Sequence, residues 1–432
     1  MSSSSSSSST TVLTPSLGQQ GSTGIQTGPF ASPAGTSPAG VGALGKRVAS
    51  IDAYRGLVML LMMGEVLSFS RVARALPESN FWAFLSHHQS HVPWIGCSLH
   101  DMIQPSFSFL VGVALPFSLA RRASAGQPQW LRTLHAFWRA LVLVLLGVFL
   151  RSTHARQTYW TFEDTLTQIG LGYGFLYLLA LASVRIQWAA LGFILVGYWL
   201  AFALYPLPGA DFDWGRAGVS PGSAAVLSGF AGHWSLNTNL AWRFDTWFLN
   251  LFPRERTFTN NGGGYATLSF IPTLGTMILG LIAGGVLRSP RSSWGKVGWF
   301  AVAGVIALAA GWVLGALGIC PVVKRIWTPS WVLFSGGWCF LMLAGFYLLL
   351  DLWNLRGWAF FLIVVGMNSI AAYLIAHLFE GFISDALPRH LGRHWNDFAG
   401  KAYDPLIQGA GILLVEWLIL FWMYRRKIFL RI

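Results

Sequence analysis

The sequence predicts an all-α protein: a polytopic transmembrane bundle of about ten spanning helices, with both the N and C termini cytoplasmic. Three observations lead there. Only 10% of the 432 residues are charged while 54% are hydrophobic, and the mean hydropathy is +0.54; a soluble domain carries about 25% charged residues. Apolar runs long enough to cross a bilayer recur along the chain. The basic residues collect in alternate connections between those runs, which the positive-inside rule assigns to the cytoplasm.

The elements follow in order. Residues 1–45 contain no Asp, Glu, Lys or Arg and are rich in Ser, Thr, Gly and Pro. Such a stretch lacks the apolar surface to offset the entropy of ordering, so residues 1–47 read as a disordered cytoplasmic tail preceding a membrane domain at 48–432. The tail has no basic segment leading into an apolar one, so it is not a signal peptide. Apolar spans follow at 51–71, 102–120, 133–150, 165–184, 187–205, 266–287, 297–319, 331–350, 358–379 and 406–424. Runs of about 18–23 residues suffice for a ~30 Å hydrocarbon core at 1.5 Å per residue. Fourteen Lys and Arg then fall on one side against only Asp52 and Asp351, while the other side is nearly balanced. The formal charge of +13 is therefore a membrane-orientation signal. A nucleic-acid partner would need a clustered basic patch on a soluble domain, and none is present.

Three segments on the outer side are long: 72–101, 206–265 with Trp214, Trp234, Trp242 and Trp247, and 380–405. The inner connections are short, so recognition or chemistry is expected at the outer face. Glycines 275, 280 and 284, and 311, 315 and 318, form small-residue faces suited to helix packing. The run Gly170-Leu171-Gly172-Tyr173-Gly174 lies inside an apolar span with no strand before it, so it is no dinucleotide loop. Cys97 and Cys320 fall on the outer side and Cys339 within a span; pairing of the first two stays open.

Ionisable groups inside spans are costly and mark candidate sites. Arg55 stands about one turn into the first span, where it can pair with Asp52, reach the interface, or meet a phosphate arriving from the cytoplasm. Glu65 follows ten residues later, ~15 Å along a helix axis, as a candidate to line a polar cavity. Asn368 is a further polar group within a span, and Glu416 has no evident partner. The densest constellation is His91-Val92-Pro93-Trp94-Ile95-Gly96-Cys97-Ser98-Leu99-His100-Asp101, running on to Gln104-Pro105. A histidine beside a carboxylate at a membrane rim suits general-base chemistry. His87, His88, His91 and His100 also invite a metal reading. The glutamate of a His-Glu-x-x-His helix is absent, and Pro93 opposes a continuing helix, so no metal is expected. Cys97 lacks a neighbour that would activate it as a nucleophile.

These residues resemble the heparan-α-glucosaminide N-acetyltransferase family and its bacterial relatives. Asp52-Ala53-Tyr54-Arg55-Gly56 is similar to the family's opening D-x-F/Y-R-G. His91, Trp94, Gly96, Asp101 and Pro105 stand at the intervals of its H-x-x-W-x-G-x-x-x-x-D-x-x-x-P. Gln168-Ile169-Gly170, Ile271-Pro272-Thr273 and Gly366-Met367-Asn368-Ser369 are similar to shorter family segments. The likeness extends over about residues 48–430. It implies a transmembrane acyltransferase that moves an acetyl group from cytoplasmic acetyl-CoA to a sugar or glycan on the far side. It implies His91 as catalytic base or acyl carrier, Asp101 in support, Arg55 and Asn368 towards the co-substrate, and Trp94 and Gly96 on the acceptor side. The family's asparagine late in the first span is replaced here by Gly64-Glu65-Val66, which makes Glu65 the substitute. The family's F-P-x-F is here Gln104-Pro105-Ser106-Phe107.

No permanently bound cofactor is expected, only acetyl-CoA as co-substrate. Membrane lipid, acyl-CoA and a sugar or glycan are the expected partners, and a homo-oligomer stays open. The signal-less tail and short loops point to a bacterial inner (plasma) membrane. A secondary transporter of a small polar solute, or a membrane scaffold, are the rival readings of the same spans.

Overall fold

The computed structural model describes residues 48–430; the expected disordered tail lies outside them. The described chain forms fifteen α-helices: α1 (Ala49–Met63), α2 (Phe69–Ala75), α3 (Asn80–His88), α4 (Ile103–Ser124), α5 (Gln129–Ser152), α6 (Thr165–Ala180), α7 (Val184–Ala203), α8 (Trp214–Ala217), α9 (Leu240–Phe248), α10 (Phe270–Arg288), α11 (Ser293–Ala316), α12 (Pro329–Phe346), α13 (Phe360–Gly366), α14 (Ser369–Leu391) and α15 (Asp404–Arg425). No strand occurs among the described residues. Eight helical segments are long and apolar enough to span a membrane, and nine if the bent α1–α2 pair counts as one span. The protein is a polytopic helical membrane protein.

All ten apolar runs become helical, but three do so differently from expectation, the first of them, at 51–71, being broken after Met63. The run at 165–184 yields α6 of 16 residues, ~24 Å by helical rise and shorter than a hydrocarbon core. It starts where Asp164 accepts the backbone N–H groups of Leu166 and Thr167, at 3.0 and 3.2 Å, so the cap fixes its first turn. The run at 358–379 is split at Met367–Asn368 into α13 and α14. Asn368 leaves the helical region, at φ −132° and ψ 40°, and turns its side chain to the end of the chain.

Helix packing uses the missing side chains of glycine. A Cβ on Gly280 would stand 1.9 Å from the Phe109 carbonyl oxygen, and one on Gly112 would stand 2.0 Å from that of Met277. Only glycine permits α4 and α10 to approach this closely. Gly366 and Gly56 serve the α1–α13 contact in the same way, facing the carbonyls of Asp52 and Leu362 at 1.8 Å. Of the predicted small-residue faces, Gly284 and Gly311 also meet backbone atoms. Gly318 instead ends the turn after α11 in the left-handed region, at φ 69°. Tyr54, Phe109, Met277, Trp331 and Phe340 fill the main core.

The long segments converge at one end of the bundle. Trp94, Tyr198, Phe202, Trp234, Cys320, Val323 and Ile326 form a second apolar cluster there. Ile95 and Val323 make an isolated antiparallel bridge, and Gly96 N–H donates to the Val322 carbonyl at 3.0 Å. At the other end, Asp351 accepts the N–H groups of Ala49 and Ser50 at 3.2 and 3.0 Å, capping the start of α1. Glu416 is fully buried on α15, and neither of its carboxylate oxygens has a hydrogen-bond partner among the described residues.

Candidate active site

A break in the first span creates the site. After Met63 the chain makes one 3-10 turn, Gly64–Leu67, and Ser68 takes a left-handed conformation, φ 51° and ψ 45°, before α2 begins. Gln89 at the end of α3 holds this break. Its Oε1 accepts Phe69 N–H at 2.8 Å, and its Nε2 donates to the Gly64 carbonyl at 2.7 Å. Glu65 therefore projects from the broken turn into a cavity of about 440 Å³, with its side chain 57% exposed.

His91, His100, Tyr265 and Lys324 line the same cavity. The loop carrying His91 needs a left-handed residue where it turns back toward α4, and Gly96 supplies it at φ 117°. Asp101 is 1% exposed behind the histidine. Its Oδ2 accepts Val92 N–H at 3.2 Å, Ser98 N–H at 3.0 Å and the Ser98 hydroxyl at 3.0 Å. Its Oδ1 stands 2.7 Å from His91 Nδ1 and 3.3 Å from Lys324 Nζ. A carboxylate oxygen only accepts, so His91 Nδ1 carries the proton and Nε2 keeps its lone pair. Nε2 has no hydrogen-bond partner among the described residues, and the side chain is 35% exposed.

A second histidine–carboxylate pair lies beside the first. His100 Nε2 is 3.1 Å from Glu65 Oε1, and the His91 and His100 ring centroids are 4.4 Å apart. Farther round the cavity, Arg151, Glu163, Asp164, His377 and Glu380 make a polar wall, while Met59, Met62, Met63 and Phe107 line an apolar sector deeper along α1. Burial lowers the proton affinity of His91 below the ordinary histidine range, and the Lys324 charge adds to this while Asp101 opposes it. Burial likewise lowers Lys324, to about 8. The Cys97 thiol is pushed up to about 12 by burial, which leaves it un-ionised near neutral pH. Cys97, Cys320 and Cys339 are free thiols.

The structure thus brings together His91, Asp101 and Glu65, and separates the other expected site residues from them. Trp94 is buried, with Nε1–H donating to the Trp234 carbonyl at 3.0 Å and its ring against Gly264. It braces two loops and does not line the cavity. Gly96 shapes the loop. Asn368 is also outside the cavity: its Nδ2 donates to the Ile428 carbonyl and its Oδ1 accepts Leu430 N–H, both at 3.0 Å. Arg55 lies 3.7 Å from Asp52, some ten residues along α1 from Glu65. His87 and His88 sit on α3 away from the His91–His100 pair, with His88 Nδ1 accepting Leu99 N–H at 3.3 Å. Sequence reasoning missed Lys324, Gln89 and Tyr265. Their only signal was membership of outer segments, and for Lys324 a charge in the short stretch between two spans.

Comparison with known proteins gives two relatives. Heparan-alpha-glucosaminide N-acetyltransferase of Homo sapiens is 22% identical over an alignment of 431 positions covering 90% of this chain. The Mus musculus protein of the same name is 21% identical over 426 positions covering 89%. The chain spans 60% of the length of each. No family model matches the sequence. This polytopic helical protein is a distant relative of the heparan-alpha-glucosaminide N-acetyltransferases.

Proposed function

We propose that the chain is a membrane acyltransferase that moves an acetyl group from acyl-CoA to an amino sugar or other glycan acceptor. One observation carries this reading: the 2.7 Å contact between His91 Nδ1 and Asp101 Oδ1, which leaves Nε2 as a base at the wall of a cavity. A base held in one tautomer by a buried carboxylate is suited to remove a proton from an attacking amine or hydroxyl. The names of the two relatives agree with N-acetyl transfer to a glucosaminide.

In this reading the acceptor nitrogen attacks the thioester carbonyl while Nε2 takes its proton. The C–S bond breaks, and the imidazolium returns the proton to the departing thiolate, so acylated acceptor and free CoA thiol leave. A variant of the route has Nε2 itself attack and carry the acyl group; trapping an acyl-histidine in a single turnover separates the two. Glu65, paired with His100, faces the reacting centre from the opposite wall. Arg55, beside Asp52 toward the other end of α1, is the residue we assign to the donor's phosphates. The excess of basic residues in the connections at that end supports a cytoplasmic placement for it, with His91 on the far side of a bacterial inner membrane. Acyl-CoA enters from within and the acceptor from without.

The test is transfer from labelled acetyl-CoA to a panel of amino sugars and glycans by the purified full chain. The wild type is expected to release CoA and form labelled product. His91→Gln is expected to lose about 10²–10⁴-fold while keeping its melting temperature in detergent. An active His91→Gln removes the histidine from the mechanism. Accumulation of unmodified solute in vesicles, with no acylated product, would make the protein a transporter.

A further inference from the structure

Lys324 is buried beside the His91–Asp101 pair. A lysine is almost never fully buried unless paired, and this one is 5% exposed. Its short loop between α11 and α12 is held firmly. Val323 N–H donates to Thr328 Oγ1 at 3.0 Å, and Arg325 donates to the carbonyls of Gly263 and Val92 at 2.7 and 3.3 Å. The backbone therefore delivers Nζ to one place, 3.3 Å from Asp101 Oδ1 and 3.1 Å from His91 Nδ1.

Those distances have a definite chemical meaning. The 2.7 Å contact with Asp101 puts a proton on Nδ1, so Lys324 cannot donate to that atom. It stands there as a positive charge beside the imidazole. Through Asp101 it shares the carboxylate that orients the ring, and directly it disfavours a second proton on it. The other charged and titratable groups facing His91 are Asp101 behind it, His100 with Glu65 at its side, and Tyr265, whose ring centroid is 6.4 Å away with Arg325 over it. Asp101 and Glu65 favour an imidazolium, and Lys324 is the nearest group that opposes it.

We propose that Lys324 is a positioning residue for the acyl transfer inferred above: its ammonium fixes Asp101 and holds His91 as the neutral Nδ1–H tautomer with Nε2 open to the acceptor. The inference rests on that functional reading, yet the state of the ring is measurable without it. Diethyl pyrocarbonate modifies neutral imidazole. Its reaction with His91, followed by peptide mass against pH on the full chain in detergent, reports the ring's titration.

The wild-type midpoint is expected below the ordinary histidine value of about 6.5. In Lys324→Gln it is expected to rise by about one pH unit or more, and in Lys324→Arg to stay near wild type. The acid limb of kcat/KM is expected to move with it, a loss of about tenfold at pH 5 that disappears by pH 8. A purely structural lysine would lower activity equally at every pH. That outcome, an unmoved Lys324→Gln midpoint, or a wild-type midpoint at 7 or above would overturn the proposal. If Lys324→Gln does not fold, the wild-type midpoint alone decides. A chain with the expected midpoints and no transfer would refute the acyltransferase reading and leave the role of Lys324 in the ring's titration standing.

Discussion

Asp101→Asn changes one atom and tests the whole site. The carboxylate accepts from five donors: Val92 N–H, Ser98 N–H, the Ser98 hydroxyl, His91 Nδ1–H and Lys324 Nζ. An asparagine has one acceptor oxygen and one NH₂. With the oxygen toward the three Val92 and Ser98 donors, the NH₂ faces His91 and Lys324. Nδ1 must then accept, the proton moves to Nε2, and the base points its N–H at the acceptor. The opposite orientation sets the NH₂ against two backbone N–H groups and is worse. Lys324 loses its counter-charge in either case. Burial already lowers it to about 8, so removing Asp101 makes it neutral at pH 7. The added cost then stops at about 1 kcal/mol, roughly one unit of proton affinity. The lost charge-assisted bond to His91 adds about 1.5–3 kcal/mol. A total loss of about 2.5–4 kcal/mol in stability is expected, with a fall of about 10⁴ in kcat from the wrong tautomer. Thermal unfolding in detergent and labelled acetyl transfer measure the two. A variant that transfers within tenfold of wild type would refute the orientation argument, whatever its stability.

Two further outcomes follow from the packing. Gln89→Ala removes both bonds that hold the broken turn, costing about 2–3 kcal/mol; hydrogen exchange at residues 64–69 is expected to rise and KM for the acceptor to increase severalfold, and unchanged exchange would deny Gln89 its role. Gly366→Ala drives a methyl to 1.8 Å from the Asp52 carbonyl and is expected to cost about 1–3 kcal/mol or prevent assembly, read as the melting temperature against Gly381→Ala, where a Cβ meets nothing within 4 Å.

Much of the fold was legible because apolar runs of bilayer length announce themselves one at a time. What the runs do not announce is how they end. The break at Gly64–Ser68 and the split at Asn368 depend on Gln89 and on the 428–430 segment, far along the chain. The His91–Asp101 pair was legible because ten residues of one loop carry both partners. Lys324 was not, since 233 residues separate it from His91 and a lone lysine between spans has no local signature. Trp94 and Asn368 stand outside the cavity for a related reason. Their sequence neighbourhoods suit a ligand, but the groups they meet, Trp234 and the 428–430 backbone, come from distant segments.

The contact between Asp351 and the first turn of α1 has a bearing on how the chain matures. Ala49 and its partner carboxylate are 302 positions apart, and the Gly56–Leu362 contact lies later still. That span therefore waits, with its leading amides unsealed, until the segment bearing Asp351 has been made. The cavity wall that Glu65 contributes stands on that same span. Assembly of the centre is consequently a late event, and a nascent chain halted before position 351 holds the His91 loop without a finished scaffold behind it.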